Sequence, residues 1–337
     1  MTLLAEMKHK QILVLGAGIT GMSCARYLSA QGLCFAVNDS RENPFATNYT
    51  KEQFSDEFPT ASLHLGRWYS DLISKAEVIL ISPGINSAID EIALHISDEC
   101  SVMGDVELFC QINNERGSAE QDKPIDIIAL TGSNGKSTVV SLLANLAKNI
   151  GVNAQLGGNI GQPVLDIFTE DKLNITNSKG KGLPELLILE LSSFQLETLT
   201  SMQAIATSVL NVSDDHLDRH LSMANYQSIK QGIYQQGKLA ITNRDDVATV
   251  TPNKSQAILS FGSDRPEENQ FGIIEIEGKT YLAFGEQTLI TLEQLPLAGM
   301  HNALNYLAAL AFGYSAGWSL TAMVEHLVRF TGLAHRC

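Results

Sequence analysis

A chain of 337 residues, 44% hydrophobic and 18% charged, has the composition of a soluble globular protein, and at roughly 150 residues per domain it divides into about two. Its net charge of −14 argues against a nucleic-acid binder, because non-specific affinity for DNA or RNA comes from neutralised phosphates. No run of about 18 apolar residues suits membrane insertion, MTLLAEMKHK carries charges where a signal peptide needs an apolar core, and five scattered cysteines without C-x-x-C pairing fit the reducing cytoplasm.

In chain order, QILVLGAG is an apolar run ending in glycines, which predicts a strand, then a helix over residues 19–31 closed near Gly32, then a second strand at FAVND. AEVILISPG and CSVMGDVELF continue the alternation, as an open and mostly parallel sheet requires. The polar segment NNERGSAEQDKP, residues 113–124, breaks the pattern and reads as a linker. IDIIAL restarts it as a strand, TGSNG is the turn, and residues 137–150 form a helix with Val139, Leu143, Leu146 and Ile150 on one face. LLILELSS, AIATSVLNV and LAITN supply further strands. GIIEIEGKTYLAF alternates on both sides of Glu277-Gly278, which predicts a hairpin in a small accessory β-sheet. The fold class is therefore α/β: a Rossmann-like domain followed by a P-loop-type mononucleotide-binding domain.

GAGITG, residues 16–21, fits G-x-G-x-x-G between strand and helix, and Asp39 follows about 20 residues on, where a ribose-binding acid is found. Alone it favours NAD or FAD, against the plainer meaning of a glycine turn that allows close packing. TGSNGKST is the stronger motif, although the common phosphate loop would place a glycine where this chain has Leu130. Gly132 and Gly135 let backbone amides face phosphate oxygens, Lys136 neutralises the β and γ phosphates, and Ser137 ligates magnesium. An N-capped helix with an incidental lysine is the alternative. LLILELSS ends in Glu190, a carboxylate at the sheet's carboxyl edge, where ligands gather in open α/β folds. In NVSDDHLDRH the aspartates Asp214, Asp215 and Asp218 suit turns and helix caps, whereas His216 suits a magnesium site or a substrate carboxylate.

The successive stretches GAGITG, SPGI, GDVELF, TGSNGKST, GGNIG, LELSSFQLE, LNVSDDHLDRH and GLAHR resemble the Mur ligases of peptidoglycan synthesis, from about residue 10 to the end of the chain. Within that family they are most similar to the members that join D-glutamate to UDP-N-acetylmuramoyl-L-alanine with ATP through an acyl phosphate. The family's ATP loop is short in the same way. The resemblance implies a UDP-substrate domain over residues 1–114 and a central ATPase domain over 115–332. It makes residues 333–337 the start of a linker to a C-terminal amino-acid domain that is absent, so that the chain is expected to bind substrate but form little amide.

The same resemblance implies site residues. GAGITG cradles the UDP pyrophosphate, with Gly18, Ile19, Thr20, Asp39, Ser40, Arg41, Ser82, Pro83 and Gly84 around it. ATP meets Gly132, Ser133, Asn134, Gly135, Lys136, Ser137 and Thr138, with Asn302 and Asn305 at adenine and Arg336 at the phosphates or ribose. Asn159, Ser192 and Gln195 line the path to the reacting carboxyl group. One magnesium lies at Ser137 and Glu190 and a second near His216 and Lys230, a lysine carbamylated in the family; by residue type alone, Lys230 reads as a solvated helix lysine. A monomer in the cytoplasm is expected, with no nucleic-acid partner. The rivals are a folylpolyglutamate synthase-like ligase, an NAD-dependent oxidoreductase, and a non-catalytic nucleotide-binding module.

Overall fold

The structure is a computed structural model that describes residues 2–45, 49–118, 123–172, 182–215 and 217–330. The chain divides into two compact units, the first formed by residues 1–124, 162–183 and 197–202 and the second by 125–161, 184–196 and 203–337.

In the first unit β1 (Ile12–Leu15), β2 (Ala36–Asp39), β3 (Ser62–Leu65), β4 (Val78–Ile81) and β5 (Ser101–Met103) lie in the order β3-β2-β1-β4-β5, and every pairing is parallel. β1 and β4 are apolar and buried at all four positions, as strands covered on both faces must be. Chain order reverses between β1 and β4, and the crevice beyond their carboxyl ends is where such sheets take ligands. The GAGITG turn sits there, leading into the helix Ile19–Ala30. NNERGS, expected to be linker, instead completes the helix Asp105–Ser118. Glu107 near that helix's start is buried and accepts the N–H groups of Thr200 and Ser201 at 2.8 and 3.0 Å, a nonlocal anchor for which residues 113–118 carry no local signal.

The second unit holds β6 (Asp126–Thr131), β7 (Ala154–Gly158), β8 (Leu186–Glu190), β9 (Ala204–Val209), β10 (Gly237–Asn243), β11 (Ala257–Phe261), β12 (Gln270–Ile276), β13 (Lys279–Phe284) and β14 (Gln287–Thr291). Their order is β14-β13-β12-β11-β10-β9-β6-β8-β7. The hairpin expected at Glu277-Gly278 forms as β12 and β13. It does not stand apart, because Ser260 and Phe261 of β11 pair with Gln270 and Phe271 and carry it into the main sheet. The helix Lys136–Asn149 buries Val139, Val140, Leu142, Leu143 and Leu146, and the helix Met300–Ser315 buries Tyr306 through Gly313 without interruption. Both pack into one core with Ile128, Ile188 and Ile241 of the sheet. Two buried helices thus fix the carboxyl end of β6.

Candidate active site

β6 ends at Thr131 and the helix Lys136–Asn149 starts behind Gly135, so the turn TGSNG is held between two buried elements. Gly135 has φ +80°, and a Cβ there would stand 2.5 Å from Asn305 Oδ1; both conformation and space require glycine. Lys136 Nζ donates to the carbonyls of Gly132 and Ser133 at 2.7 and 3.0 Å. Ser137 and Thr138 occupy the first helical turn, where backbone N–H groups and the helix dipole favour anions. Beside them opens a cavity of about 310 Å³, lined by Asn134, Gly135 and Thr138 on one side and by His301, Asn302 and Asn305 on the other. Asn302 donates to the Ala298 carbonyl at 2.8 Å, and Asn305 donates to Asn302 Oδ1 at 3.3 Å. Asn211, Asn243 and Phe261 also line the cavity. They come from three different strand ends, which is why no local pattern singles them out.

Glu190 closes β8 at 1% exposure and pairs with Leu130 of β6, next to the loop. Asn159 donates its side-chain N–H to Glu190 Oε1 at 3.0 Å and its backbone N–H to the Glu190 carbonyl at 2.7 Å. Gly158 before it, at φ +94°, runs so close that a Cβ would collide with that carbonyl. Glu190 Oε2 is buried and has no hydrogen-bond partner. A carboxylate oxygen in that state is costly unless a cation satisfies it, and oxygen donors such as Glu190 and the Ser137 hydroxyl are the chemistry magnesium prefers. These residues fit the ion. No group of three His, Cys, Asp or Glu suited to a metal occurs among the described residues, so the fit rests on Glu190 and Ser137.

Lys230, on the helix Met223–Gln231, is 1% exposed and not solvated. It donates to Thr131 Oγ1 at 3.3 Å and to the Gly132 carbonyl at 3.0 Å, and its Nζ stands 4.6 Å from the centre of the Tyr226 ring one turn back. Both lysines thus converge on the Gly132 carbonyl. Burial, reinforced by the Lys136 cation, lowers the Lys230 pKa to about 7 against the opposing pull of Asp215. Tyr226 in turn lies against His220, whose Nε2 is 2.8 Å from Ser193 Oγ. Asp214 and Asp215 are exposed. His216 and Arg336 lie outside the described residues.

Ser192 and Gln195 hold each other. The Ser192 N–H and hydroxyl donate to Gln195 Oε1 at 3.0 and 3.2 Å, and the Gln195 N–H donates to Ser192 Oγ at 3.2 Å. This is a capping box on the short helix Ser193–Leu196.

In the first unit, Asp39 is 2% exposed at the end of β2. Its Oδ2 accepts the Ala17 N–H at 2.9 Å and Arg41 Nη2 at 2.7 Å, and its Oδ1 accepts the Arg41 backbone N–H and Nε at 2.9 and 3.0 Å. The carboxylate that spacing alone assigned to a ribose therefore braces the glycine turn. Burial would raise its pKa, but the Arg41 guanidinium and the loop N–H groups outweigh that and hold it below the usual carboxylate range. Ser82 Oγ is buried without a hydrogen-bond partner, in the loop after β4 that faces Gly16. Gly18, Thr20, Ser82 and Pro83 are half-buried, while Ile19, Ser40, Arg41 and Gly84 are exposed around the turn.

A phosphate loop with a strand-end glutamate and a buried lysine, in a unit that follows a Rossmann-like unit, marks an ATP-dependent ligase and not a dehydrogenase. Residues 10–104 match the N-terminal domain of MurD-like Mur ligases and residues 130–313 match the Mur ligase middle domain. Over its full length the chain is 56% identical to the UDP-N-acetylmuramoylalanine–D-glutamate ligase of Colwellia psychrerythraea and 41% identical to that of Pseudoalteromonas translucida, spanning 70% of each. The solved UDP-N-acetylmuramate:L-alanyl-gamma-D-glutamyl-meso-diaminopimelate ligase from Neisseria meningitides shares the fold, with a TM-score of 0.61 at 15% identity over 97% of this chain and 99% of that one. The chain belongs to the Mur ligase family, the ATP-dependent ligases of peptidoglycan precursors.

Proposed function

We propose that the chain serves the ATP-driven addition of D-glutamate to UDP-N-acetylmuramoyl-L-alanine in the cytoplasm, as a monomer. Residues 1–114 take the UDP precursor around Gly18, Ile19, Thr20, Ser40, Arg41 and Ser82 to Gly84, with Asp39 bracing the turn. The second unit, which begins at residue 125 rather than at the expected 115 because the helix Asp105–Ser118 stays with the first, takes ATP. One observation supports this most: the buried, partnerless Glu190 Oε2 on the strand beside the one that carries the phosphate loop.

In this mechanism the precursor's carboxylate oxygen bonds to the γ-phosphorus as the bond to ADP breaks. The amine of D-glutamate then attacks the acyl carbon, phosphate leaves, and the surplus proton passes to solvent. Carboxylate and triphosphate repel each other, so catalysis rests on alignment and charge neutralisation. Lys136 neutralises phosphate charge, Gly132 to Thr138 shape the cradle, and Asn302 and Asn305 hold the adenine side. Asn159, Ser192 and Gln195 border the precursor's carboxyl group. Ser137 and Glu190 would hold magnesium, which would supply further charge neutralisation there. A Lys230 amine with a pKa of about 7 is substantially neutral at neutral pH, the form that adds CO2: the nitrogen lone pair bonds to carbon, a C=O pair moves to oxygen, and a proton goes to water. The resulting carbamate is an oxygen ligand, and with His216 it would hold a second magnesium.

Calorimetric titration with UDP-N-acetylmuramoyl-L-alanine, with NADH in parallel, tests the assignment. Saturable binding of the UDP compound alone is expected; binding of NADH alone would return GAGITG to dinucleotide chemistry.

A further inference from the structure

The phosphate loop has only two residues between its glycines, where the common loop has about four, and an outside segment gives it shape. β9 runs parallel to β6, with Thr131 opposite Val209, and the ladder continues one step beyond the strands as the Leu210 N–H donates to the Thr131 carbonyl at 2.9 Å. Asn211 then takes over. Its carbonyl accepts the Ser133 N–H at 3.0 Å, its Oδ1 accepts the Asn134 N–H at 2.8 Å, and its Nδ2 donates to the Asn134 carbonyl at 3.0 Å. Two residues on, the Ser213 N–H donates to Ser133 Oγ at 3.0 Å, and Asn134 Nδ2 donates to Ser213 Oγ at 3.3 Å.

We propose that Asn211 is a positioning residue for the phosphate loop: its side-chain amide, paired in both directions with the backbone of Asn134, extends the β6–β9 ladder and locks the shortened loop in its phosphate-accepting shape. The Ser133 and Asn134 amides are turned toward Asn211, so the triphosphate falls to the first turn of the helix, from Gly135 onward. Ser133 and Asn134 buttress the cradle. This assignment rests on the ATP-binding role given above to the loop.

Amide exchange of Asn134 by NMR, together with calorimetry for ATP and for the UDP precursor, tests it. In Asn211→Ala the Asn134 amide should exchange at least about tenfold faster and ATP should bind roughly tenfold more weakly, as loss of a paired amide contact implies. Affinity for the UDP precursor should stay unchanged. The isosteric Asn211→Asp keeps the acceptor for the Asn134 N–H but replaces the donor by a charged oxygen, so Asn134 should remain protected in it; because the added charge itself repels a triphosphate, only the exchange rate is read in this variant. Unchanged exchange in Asn211→Ala, or equal loss of both ligands, would overturn the proposal. If the unsubstituted chain bound no ATP, the nucleotide role of the loop would fall, and the Asn134 exchange rate would still decide whether Asn211 holds the loop.

Discussion

Lys136 and Asp105 show how single charges act in the two units. Lys136 reaches the loop carbonyls from the first helical residue, so Lys136→Ala should abolish ATP-dependent phosphate release while calorimetry finds UDP-precursor binding intact. Equal loss of both would mean the lysine is misassigned. Asp105 is 3% exposed with Oδ1 lacking a partner. Burial first, and Asp166 in addition, raise its pKa to about 6 against the pull of local backbone N–H groups. A carboxyl raised in the fold binds its proton more tightly there than in the unfolded chain. Its stabilising contribution is full below about pH 4 and is lost as pH rises through about 6. Asp105→Asn should therefore be more stable than the parent at pH 8, by about 3 kcal/mol, with the difference vanishing near pH 4. Paired thermal melts at the two pH values check the sign.

At the scale of elements, the loop depends on the helix Lys136–Asn149 being pinned along its length. Leu143 is fully buried in the core of the second unit, and Leu143→Ala should cost about 2–5 kcal/mol in urea unfolding, since close packing leaves the cavity unfilled. Gly135→Ala probes the other end of the same element: it places a Cβ against Asn305 at a φ of +80°, and should weaken ATP binding by more than it lowers the melting temperature. An unchanged ATP affinity would show that the loop tolerates the shift. GAGITG, TGSNGKST and the Glu277-Gly278 hairpin were legible because each is a local pattern of turn residues between periodic apolar runs. The hairpin's membership in the main sheet was not, because the two-residue pairing of β11 with β12 that joins them leaves no periodic trace.

At the scale of the whole molecule, two units with separate cores imply two separable ligand responses. Saturating UDP precursor should slow hydrogen exchange in residues around the GAGITG turn, and ATP with magnesium should slow it around residues 132–138 and 300–315. At about 100 times its Kd either ligand adds roughly 2.7 kcal/mol of stability; protection of the GAGITG turn by ATP alone, or of residues 300–315 by the UDP precursor alone, would refute the division of labour. No helix among the described residues is long and apolar enough to cross a membrane. What the sequence by itself determined was the α/β class, the two glycine turns and the candidate roles of Lys136, Ser137 and Glu190, because strand, turn and helix signals are local and the chemistry of a phosphate loop is written in consecutive residues. What only the tertiary structure decided was the burial of Lys230, the bracing role of Asp39 and the clamp of Asn211 on Asn134. Each depends on segments apart in the chain meeting at the carboxyl end of the sheet of their own unit, where desolvation and hydrogen bonding, not residue type, set what a side chain does.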